Sequence, residues 1–442
     1  MAVPATGCRA VTRHAEVALA AAAAMEPGGA RAVARCDLLS RWPFSDTRDH
    51  LFRPFLGPGH EATCEITTSW MQEAGMTVSL DPAGNILGRY EGLTPGAPAL
   101  LVGSHVDSVK DAGSYDGMLG VMLGVELVDA FHRAGRRLPF ALEVIGFGDE
   151  EGSRFPSYML GSRSVAGVLP PDALAVSDRG GVSLVNALSD WGVDPDRFAD
   201  AYRAPGEVAA YLEAHIEQAP SLEEAGLPLG VVSSIAAQAR YYFTVEGMAA
   251  HAGTAMHKRR DALTASAAIV LAIEEIAARG PVDLVATVGW LSTGENSATN
   301  IVSGAVTFSL DLRAALRETR DRAASEIFAA AAAICAERRV GHAVEERHQL
   351  AGAVCDQMLN EALSGAVRDV AGYEPPLIVS QAGHDAMNIA AIAPVSMLFI
   401  RCAGGISHNP AESVLDDDVE LALAAMIRFA DELAQNPRFR SP

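Results

Sequence analysis

Several histidines and carboxylates in this sequence directly follow apolar segments. His105 and Asp107 come after the run ALLVGS, and Glu150 and Glu151 come after FALEVIGFG. Asp116 lies between these two pairs. Side chains of these types, gathered at one place, can bind a divalent metal or transfer protons.

Two further histidines extend this set. His215 ends a third strand-like run, EVAAYLEAHIEQ, and His408 lies in a glycine-marked loop after a fourth, PVSMLFIRC. Imidazole suits zinc, carboxylate suits harder ions such as manganese, and no cysteine lies in these loops. A lone His-x-Asp pattern is more often structural, and Asp107 alone could be a turn residue. Four strand ends that each carry a histidine or carboxylate favour a zinc or manganese site.

The adjacent glutamates Glu150 and Glu151 could divide two tasks between them. A carboxylate can bridge two cations, and two nearby ions can activate one water and polarise a carbonyl. Because neighbouring side chains cannot both point the same way, one glutamate could bind metal while the other accepts a proton.

The elements that must position these residues form a strand, helix, strand unit. The pattern predicts a buried strand over 99–104, a helix over 117–134 and a second buried strand over 140–148. Ligands of open α/β sheets lie outside the carboxyl ends of the strands. We therefore expect the polar residues to meet at one edge of a mostly parallel sheet flanked by helices.

A different pattern interrupts this α/β organisation. Residues 234–348 read as strand, helix, strand, strand, helix and strand, which predicts an inserted α+β domain with a four-stranded antiparallel sheet. The catalytic domain is then discontinuous and comprises residues 1–233 and 349–442. A chain of 442 residues is long enough for two such domains.

Composition excludes several classes of protein. With 34 Lys and Arg against 55 Asp and Glu, the formal net charge of −21 disfavours nucleic acid and anionic membranes as partners. The six scattered cysteines indicate free thiols and a cytoplasmic location. No apolar stretch is long enough to span a membrane, and the alanine-rich segment at 17–25 is expected to be a ragged tail or short helix rather than a signal peptide.

Seven motifs carry a family resemblance: GSHVDS, GSYDGMLGV, GDEEGSRFP, HIEQ, HAGT, GHDAM and GGISHNPAES. Together they resemble the M20 metallopeptidase-like amidohydrolases over about residues 36–418, and within them the branch that hydrolyses ureido compounds. The resemblance implies two divalent ions, zinc or manganese. One ion would be held by His105, Asp116 and His215, and the other by Asp116, Glu151 and His408. It further implies that Glu150 is the general base and that Asp107 orients His105.

The same resemblance gives the inserted domain a role as a lid that also forms a homodimer. His251 in HAGT would stabilise the oxyanion, although a turn histidine is the simpler alternative. The residues expected to bind a substrate are Arg240, Asn300, Arg313, Gln218 and His384. The two arginines suit a carboxylate, because a guanidinium can bind it through two hydrogen bonds.

The resemblance implies hydrolysis of a ureido C–N bond in a small anionic substrate, with allantoate first and N-carbamoyl-L-amino acids or ureidoglycolate next. A metallo-exopeptidase and a non-catalytic binding module are the rival hypotheses. Departures from the family pattern at Ala219, Ser303 and Gln381, and after HAGT, concern the shape of the substrate pocket and leave every implied ligand in place.

Overall fold

A computed structural model describes residues 25–294 and 297–439. The alanine-rich segment lies almost wholly outside these residues. The chain divides into two compact units. The larger unit contains the described residues up to Ser233, Cys355–Ile378 and those from His384 onward. The smaller unit contains Ser234–Val354 and also Val379–Gly383. It therefore starts at the expected position, ends a few residues later than expected, and includes a short segment from the GHDAM region that the sequence did not assign to it.

Parallel strands form the centre of the larger sheet. Its nine strands are β1 (Thr77–Leu80), β2 (Ile86–Tyr90), β3 (Ala99–His105), β4 (Ala141–Phe147), β5 (Val208–Ile216), β6 (Leu229–Ile235), β14 (Ala353–Val354), β15 (Leu377–Ser380) and β16 (Val395–Ile400). The order is β1-β2-β4-β3-β5-β16-β6-β14, with β15 beside β6. Strands β4, β3, β5 and β16 run parallel, and antiparallel strands flank them.

The unit β3–helix–β4 has the predicted form. Every residue of β3 and of β4 is buried, as continuous apolar runs between helical layers require. The connecting helix, Met118–Arg133, is buried along nearly its whole length, because its residues are apolar almost all round. The α/β fold class predicted from the sequence is confirmed.

Helices cover this sheet and complete its core. They are α1 (Gly29–Leu39), α2 (Pro58–Glu73), α3 (Met118–Arg133), α4 (Leu160–Ala166), α5 (Leu184–Asp190), α6 (Ser221–Ala225), α9 (Gln357–Ala371), α10 (Ala386–Ile389) and α11 (Asp416–Gln435). Side chains from α1, α3, α9 and α11 pack into one hydrophobic cluster with β3, β4 and β5. The carboxyl ends of the central strands are thus held on a rigid base.

An antiparallel sheet and two long helices form the smaller unit. Its helices are α7 (Ala262–Arg279) and α8 (Arg317–Arg338), and its main strands are β7 (Ala237–Glu246), β9 (Val285–Thr287), β10 (Leu291–Ser292), β12 (Ala305–Ala314) and β13 (Gly341–Leu350). β9 and β10 share one edge position beside β12. The sheet is therefore four strands wide, although it contains five strands. A separate pair joins β8 (Ala250–His251) and β11 (Ile301–Val302).

Side chains alternate along the strands of this smaller sheet. Phe243 and Phe308 stack at 4.8 Å between ring centroids, inside a core that both helices cover. Tyr242, next to Phe243 in sequence, points to the other face and is exposed. Within the residues that the structure describes, no helix combines the length and the apolar character that crossing a membrane would need.

Candidate metal centre

Two histidines face Asp116 at the carboxyl ends of β3 and β5. The Nε2 atoms of His105 and His215 lie 3.5 and 3.1 Å from Asp116 Oδ1. The Nδ1 atom of each ring lies against a backbone carbonyl, that of Asp107 at 3.0 Å and that of Ile216 at 2.9 Å. When Nδ1–H donates to these carbonyls, the unprotonated Nε2 of each ring points toward Asp116. Both Nε2 lone pairs and the Asp116 carboxylate are then available to the same metal ion.

Glu151 and His408 form a second group around the same aspartate. His408 Nε2 lies 3.1 Å from Asp116 Oδ2 and 3.6 Å from Glu151 Oε1. Glu151 Oε1 is buried and has no hydrogen-bond partner. An unpaired buried carboxylate oxygen is costly, and a cation at this position would satisfy it.

The five side chains fit a pair of divalent ions. His105, Asp116 and His215 form one group, and Asp116, Glu151 and His408 form the other; within each group the ligand atoms lie within 4.8 Å of one another. Three imidazoles and two carboxylates, one of them shared, are suitable ligands for zinc or manganese. The groups are the two that the sequence resemblance implied.

Gly117 makes this close arrangement possible. Its φ is +67°, and a Cβ atom there would lie 2.4 Å from the His105 ring. Only glycine adopts this conformation easily and leaves room for the imidazole. The turn between Asp116 and α3 therefore depends on a residue without a side chain.

Asp107 makes contacts beyond the one that the sequence analysis predicted. Its carboxylate lies 3.9 Å from His105 Nδ1 and instead accepts hydrogen bonds from the backbone N–H groups of Glu150 at 3.0 Å and Glu151 at 3.2 Å. Its backbone carbonyl, rather than its side chain, faces His105. The reason is that those two N–H groups follow the end of β4 directly. Asp107 thus positions both glutamates as well as the histidine.

Electrostatics separate Asp116 from Glu150. Burial alone would raise the pKa of Asp116, but hydrogen bonds from His105, His215 and His408, when these rings are protonated, hold it well below its ordinary value. Burial raises the pKa of Glu150 well above its ordinary value, and nearby carboxylates add to this against the opposing effect of His105. One carboxylate therefore stays ionised, while the other holds a proton readily.

Two residues expected to bind a substrate lie at this centre. Gln218 donates through Nε2 to Asp116 Oδ2 and to Ser407 Oγ, both at 3.1 Å. The buried His384 ring lies 4.6 Å from that of His215, centroid to centroid. Burial lowers the pKa of His384 well below its ordinary value, which keeps it neutral.

His251 and Asn300 lie together in the smaller unit. His251 pairs with Ile301 across the β8–β11 ladder, and Ala252 donates its N–H to the Asn300 carbonyl at 2.8 Å. The Gly253 N–H donates to His251 Nδ1 at 3.0 Å. The proton of a neutral ring is therefore on Nε2, where it can be donated.

Arg240 and Arg313 share one carboxylate in the smaller unit. Asp311 accepts from Arg240 Nε at 2.9 Å and from Arg313 Nε and Nη2 at 2.7 and 3.1 Å. Arg313 Nη1 also donates to the Gln381 carbonyl at 2.5 Å. Although burial opposes it, these hydrogen bonds hold the pKa of Asp311 below its ordinary value. Two guanidinium groups around one aspartate leave a net positive charge for an anion.

The sequence reasoning did not assign Ser407 or Glu412. Ser407 Oγ lies 3.1 Å from Asp116 Oδ2 and 3.0 Å from Glu412 Oε2. Both residues belong to the motif GGISHNPAES, from which only the histidine was assigned. The only sequence signal was that both residues lie within the motif that carries His408.

Comparisons with known proteins agree with this arrangement. The sequence profile of peptidase family M20/M25/M40 matches residues 101–432. An N-carbamoyl-L-amino acid amidohydrolase of Geobacillus stearothermophilus is 42% identical, over 84% of this chain and 90% of that protein. A probable allantoate deiminase of Oryza sativa subsp. japonica is 39% identical, over 88% and 86%. The crystal structure of a hydantoinase/carbamoylase family amidase from Burkholderia multivorans is 30% identical, with a TM-score of 0.83 over 94% of this chain and 98% of that one.

Proposed function

Because the chain belongs to peptidase family M20/M25/M40, we propose that it is a metal-dependent amidohydrolase. It cleaves a ureido C–N bond of a small anionic substrate, most favourably allantoate, with release of ammonia and carbon dioxide. The observation that carries this proposal is the pair of ligand groups that share Asp116, with Glu150 beside them. The rival exopeptidase and binding-module hypotheses are weaker, because the relatives named above act on non-peptide C–N bonds.

The proposed cofactor is a pair of zinc or manganese ions. His105, Asp116 and His215 would hold one, and Asp116, Glu151 and His408 the other. Ions bound there supply Lewis-acid activation of a water molecule and of the ureido carbonyl.

Proton transfer is the task of Glu150. Its raised pKa suits a group that takes a proton from the attacking water and passes it to the leaving nitrogen. The carboxylate of Asp107 accepts a hydrogen bond from the backbone N–H of Glu150. This contact holds the main chain that carries the base. Since this anchor also holds Glu151, the base and the metal ligand keep their separation.

Recognition of the substrate is the task of polar residues outside the two ligand groups. Arg313 and Arg240 bind the substrate carboxylate, and the Nε2–H of His251 stabilises the developing oxyanion. Asn300, Gln218 and the neutral His384 supply further polar contacts. A ureido compound that also carries a carboxylate offers groups of the types that these residues bind.

Hydrolysis of N-carbamoyl-L-amino acids is the second candidate function. The relative of that activity has the higher identity of the two sequence relatives named above. Both substrate classes offer a ureido carbonyl and a carboxylate, so the same catalytic groups serve either. The residues that line the remainder of the pocket decide between them.

The proposal extends to assembly and location. A homodimer formed through the smaller unit is supported by its edge strand β13, which is largely exposed, and by the exposed Trp290 and Leu291. A cytoplasmic location is supported by the five described cysteines, which are buried free thiols. Sedimentation of the purified protein tests the oligomeric state, and we expect a species of the size of a dimer.

An ammonia-release assay tests the activity. The purified chain is stripped with chelator, reloaded with manganese or zinc separately, and offered allantoate, N-carbamoyl-L-amino acids and ureidoglycolate. Dipeptides are tested in parallel, and their hydrolysis is followed by the release of free amino acids, because it yields no ammonia. We expect no activity before reloading and the highest kcat/KM with allantoate afterwards. Preference for N-carbamoyl amino acids would establish the second candidate, and hydrolysis of dipeptides alone would refute the proposal.

A further inference from the structure

Glu412 connects two loops that are far apart in the sequence. Its Oε1 accepts hydrogen bonds from the backbone N–H groups of Tyr115 at 2.8 Å and Asp116 at 3.1 Å. Its Oε2 lies 3.0 Å from Ser407 Oγ. One carboxylate thus holds the main chain at Asp116 and the residue that precedes His408.

The surroundings of Glu412 fix its position. The residue is only 5% exposed, and a Cβ atom at Gly113 would lie 2.3 Å from its Cβ and Cδ atoms. No bulkier residue can therefore occupy position 113 without moving the glutamate. Without Glu412, two backbone N–H groups beside Asp116 would lose their acceptor, which is costly for buried groups.

The contacts of Glu412 favour one ligand group over the other. Ser407 Oγ, which contacts Glu412, also lies within hydrogen-bond distance of Asp116 Oδ2, the oxygen that faces His408. His105 and His215 are oriented instead by the carbonyls of Asp107 and Ile216. Neither of these two orienting contacts involves Glu412 or Ser407.

We infer that Glu412 is a positioning residue that assembles the group formed by Asp116, Glu151 and His408. This inference rests on the proposed metal centre. Its loss weakens metal binding at that group more than at the group formed by His105, Asp116 and His215. Groups that orient metal ligands in this way typically change metal affinity by about 10- to 100-fold.

Metal titrations of a small set of variants test the inference. Manganese and zinc are titrated separately by equilibrium dialysis into the wild type, Glu412→Ala, Glu412→Gln and Ser407→Ala. His408→Ala and His215→Ala serve as references for loss of either group. Glu143→Ala is the matched control, because Glu143 is equally buried and its partners, Arg89 and Arg203, are not metal ligands.

We expect the wild type to bind two ions and Glu412→Ala to reproduce the pattern of His408→Ala, with one dissociation constant raised about 10- to 100-fold. Glu412→Gln keeps an oxygen that accepts from the backbone and should lose less. Ser407→Ala removes the hydroxyl between Glu412 and Asp116 and should raise the dissociation constant of the same ion severalfold. Glu143→Ala should lose thermal stability and keep both ions.

The outcomes separate the inference from the proposed function. A wild type that binds no ion would refute the metal centre itself. Two ions bound equally well by the wild type and Glu412→Ala would overturn only the inference. An equal rise in the dissociation constants of both ions would overturn it as well. So would the same loss of metal affinity in Glu143→Ala. If Glu412→Ala fails to fold, Glu412→Gln and Ser407→Ala decide by the same criterion.

Discussion

The metal centre of the larger unit and the arginine pair of the smaller unit are held in opposite ways. His105, His215 and Asp116 are buried, and backbone carbonyls at the ends of β3 and β5 orient the two histidines. Arg240 is half exposed and Arg313 about a quarter exposed, and both depend on one side chain, Asp311. The two buried histidines are thus oriented by main-chain carbonyls, whereas the two arginines are held mainly by one side-chain carboxylate.

The two regions need different degrees of precision. Ligands and a base must be held closely to act together, and rigid strand ends provide that. The arginines that bind the substrate carboxylate need less exact placement, because solvent screens each exposed charge and makes the interaction less dependent on geometry. We therefore expect changes in the buried region to act on kcat and changes in the exposed region to act on KM.

Replacing Glu150 with glutamine should have the largest effect on turnover. The variant keeps the hydrogen bond from the Glu150 backbone to Asp107, so metal content should stay unchanged. Loss of the base should lower kcat about 100- to 10,000-fold. Steady-state ammonia release together with metal analysis checks this. Full activity in the variant would remove Glu150 from the mechanism.

Replacing Arg313 with alanine should act mainly on substrate binding. A hydrogen bond to a charged group contributes about 1.5–3 kcal/mol, which is roughly 10- to 100-fold in KM. Arg347→Ala is the control, because that arginine lies over Tyr242 in the same unit. A large fall in kcat with unchanged KM would contradict the division of tasks between the two regions.

Burial in the larger unit should also make it sensitive to acid. Burial lowers the pKa of His60 from 6.5 to about 3. Below pH 6.5 the unfolded chain takes up a proton that the folded chain refuses, so this group removes stability as the pH falls towards 3. At pH 5 the loss is about 2 kcal/mol relative to pH 8.

Urea unfolding at pH 5 and pH 8 measures this loss. His60→Gln should show a smaller difference between the two pH values than the wild type, even though it loses the stacking on Trp191. The exposed His257 provides the control substitution, His257→Gln, which should leave the difference unchanged. An unchanged difference in His60→Gln would show that another group causes the acid sensitivity.

The sequence predicted the parts of the molecule that local patterns determine. Apolar runs predicted β3 and β4, and the switch to alternating strands located the start of the smaller unit near Ser234. The polar residues after these strands pointed to one sheet edge, because the ends of parallel strands meet there. The division of five ligands into two groups came from family resemblance, since spacing alone does not give three-dimensional pairing.

Long-range hydrogen bonds were beyond the reach of the sequence. Glu412 lies almost 300 residues from the backbone groups that it binds, and no periodicity relates them. Asp107 looked like a partner for a neighbouring histidine, but its carboxylate binds the backbone after β4. Asp311 lies opposite Arg240 in the β12–β7 pair, a cross-strand register that the sequence analysis did not assign. Each of these contacts joins segments that only the fold brings together.

Replacing Arg240 with alanine should have the smallest effect and gives the sharpest test of the comparison. Arg240 makes one hydrogen bond to Asp311, whereas Arg313 makes two to Asp311 and one to a backbone carbonyl. Exposed ion pairs contribute about 0.2–1 kcal/mol, so KM should rise only about two- to fivefold with kcat unchanged. An effect as large as that of Arg313→Ala would show that the number of contacts holding each arginine does not determine its contribution to substrate binding.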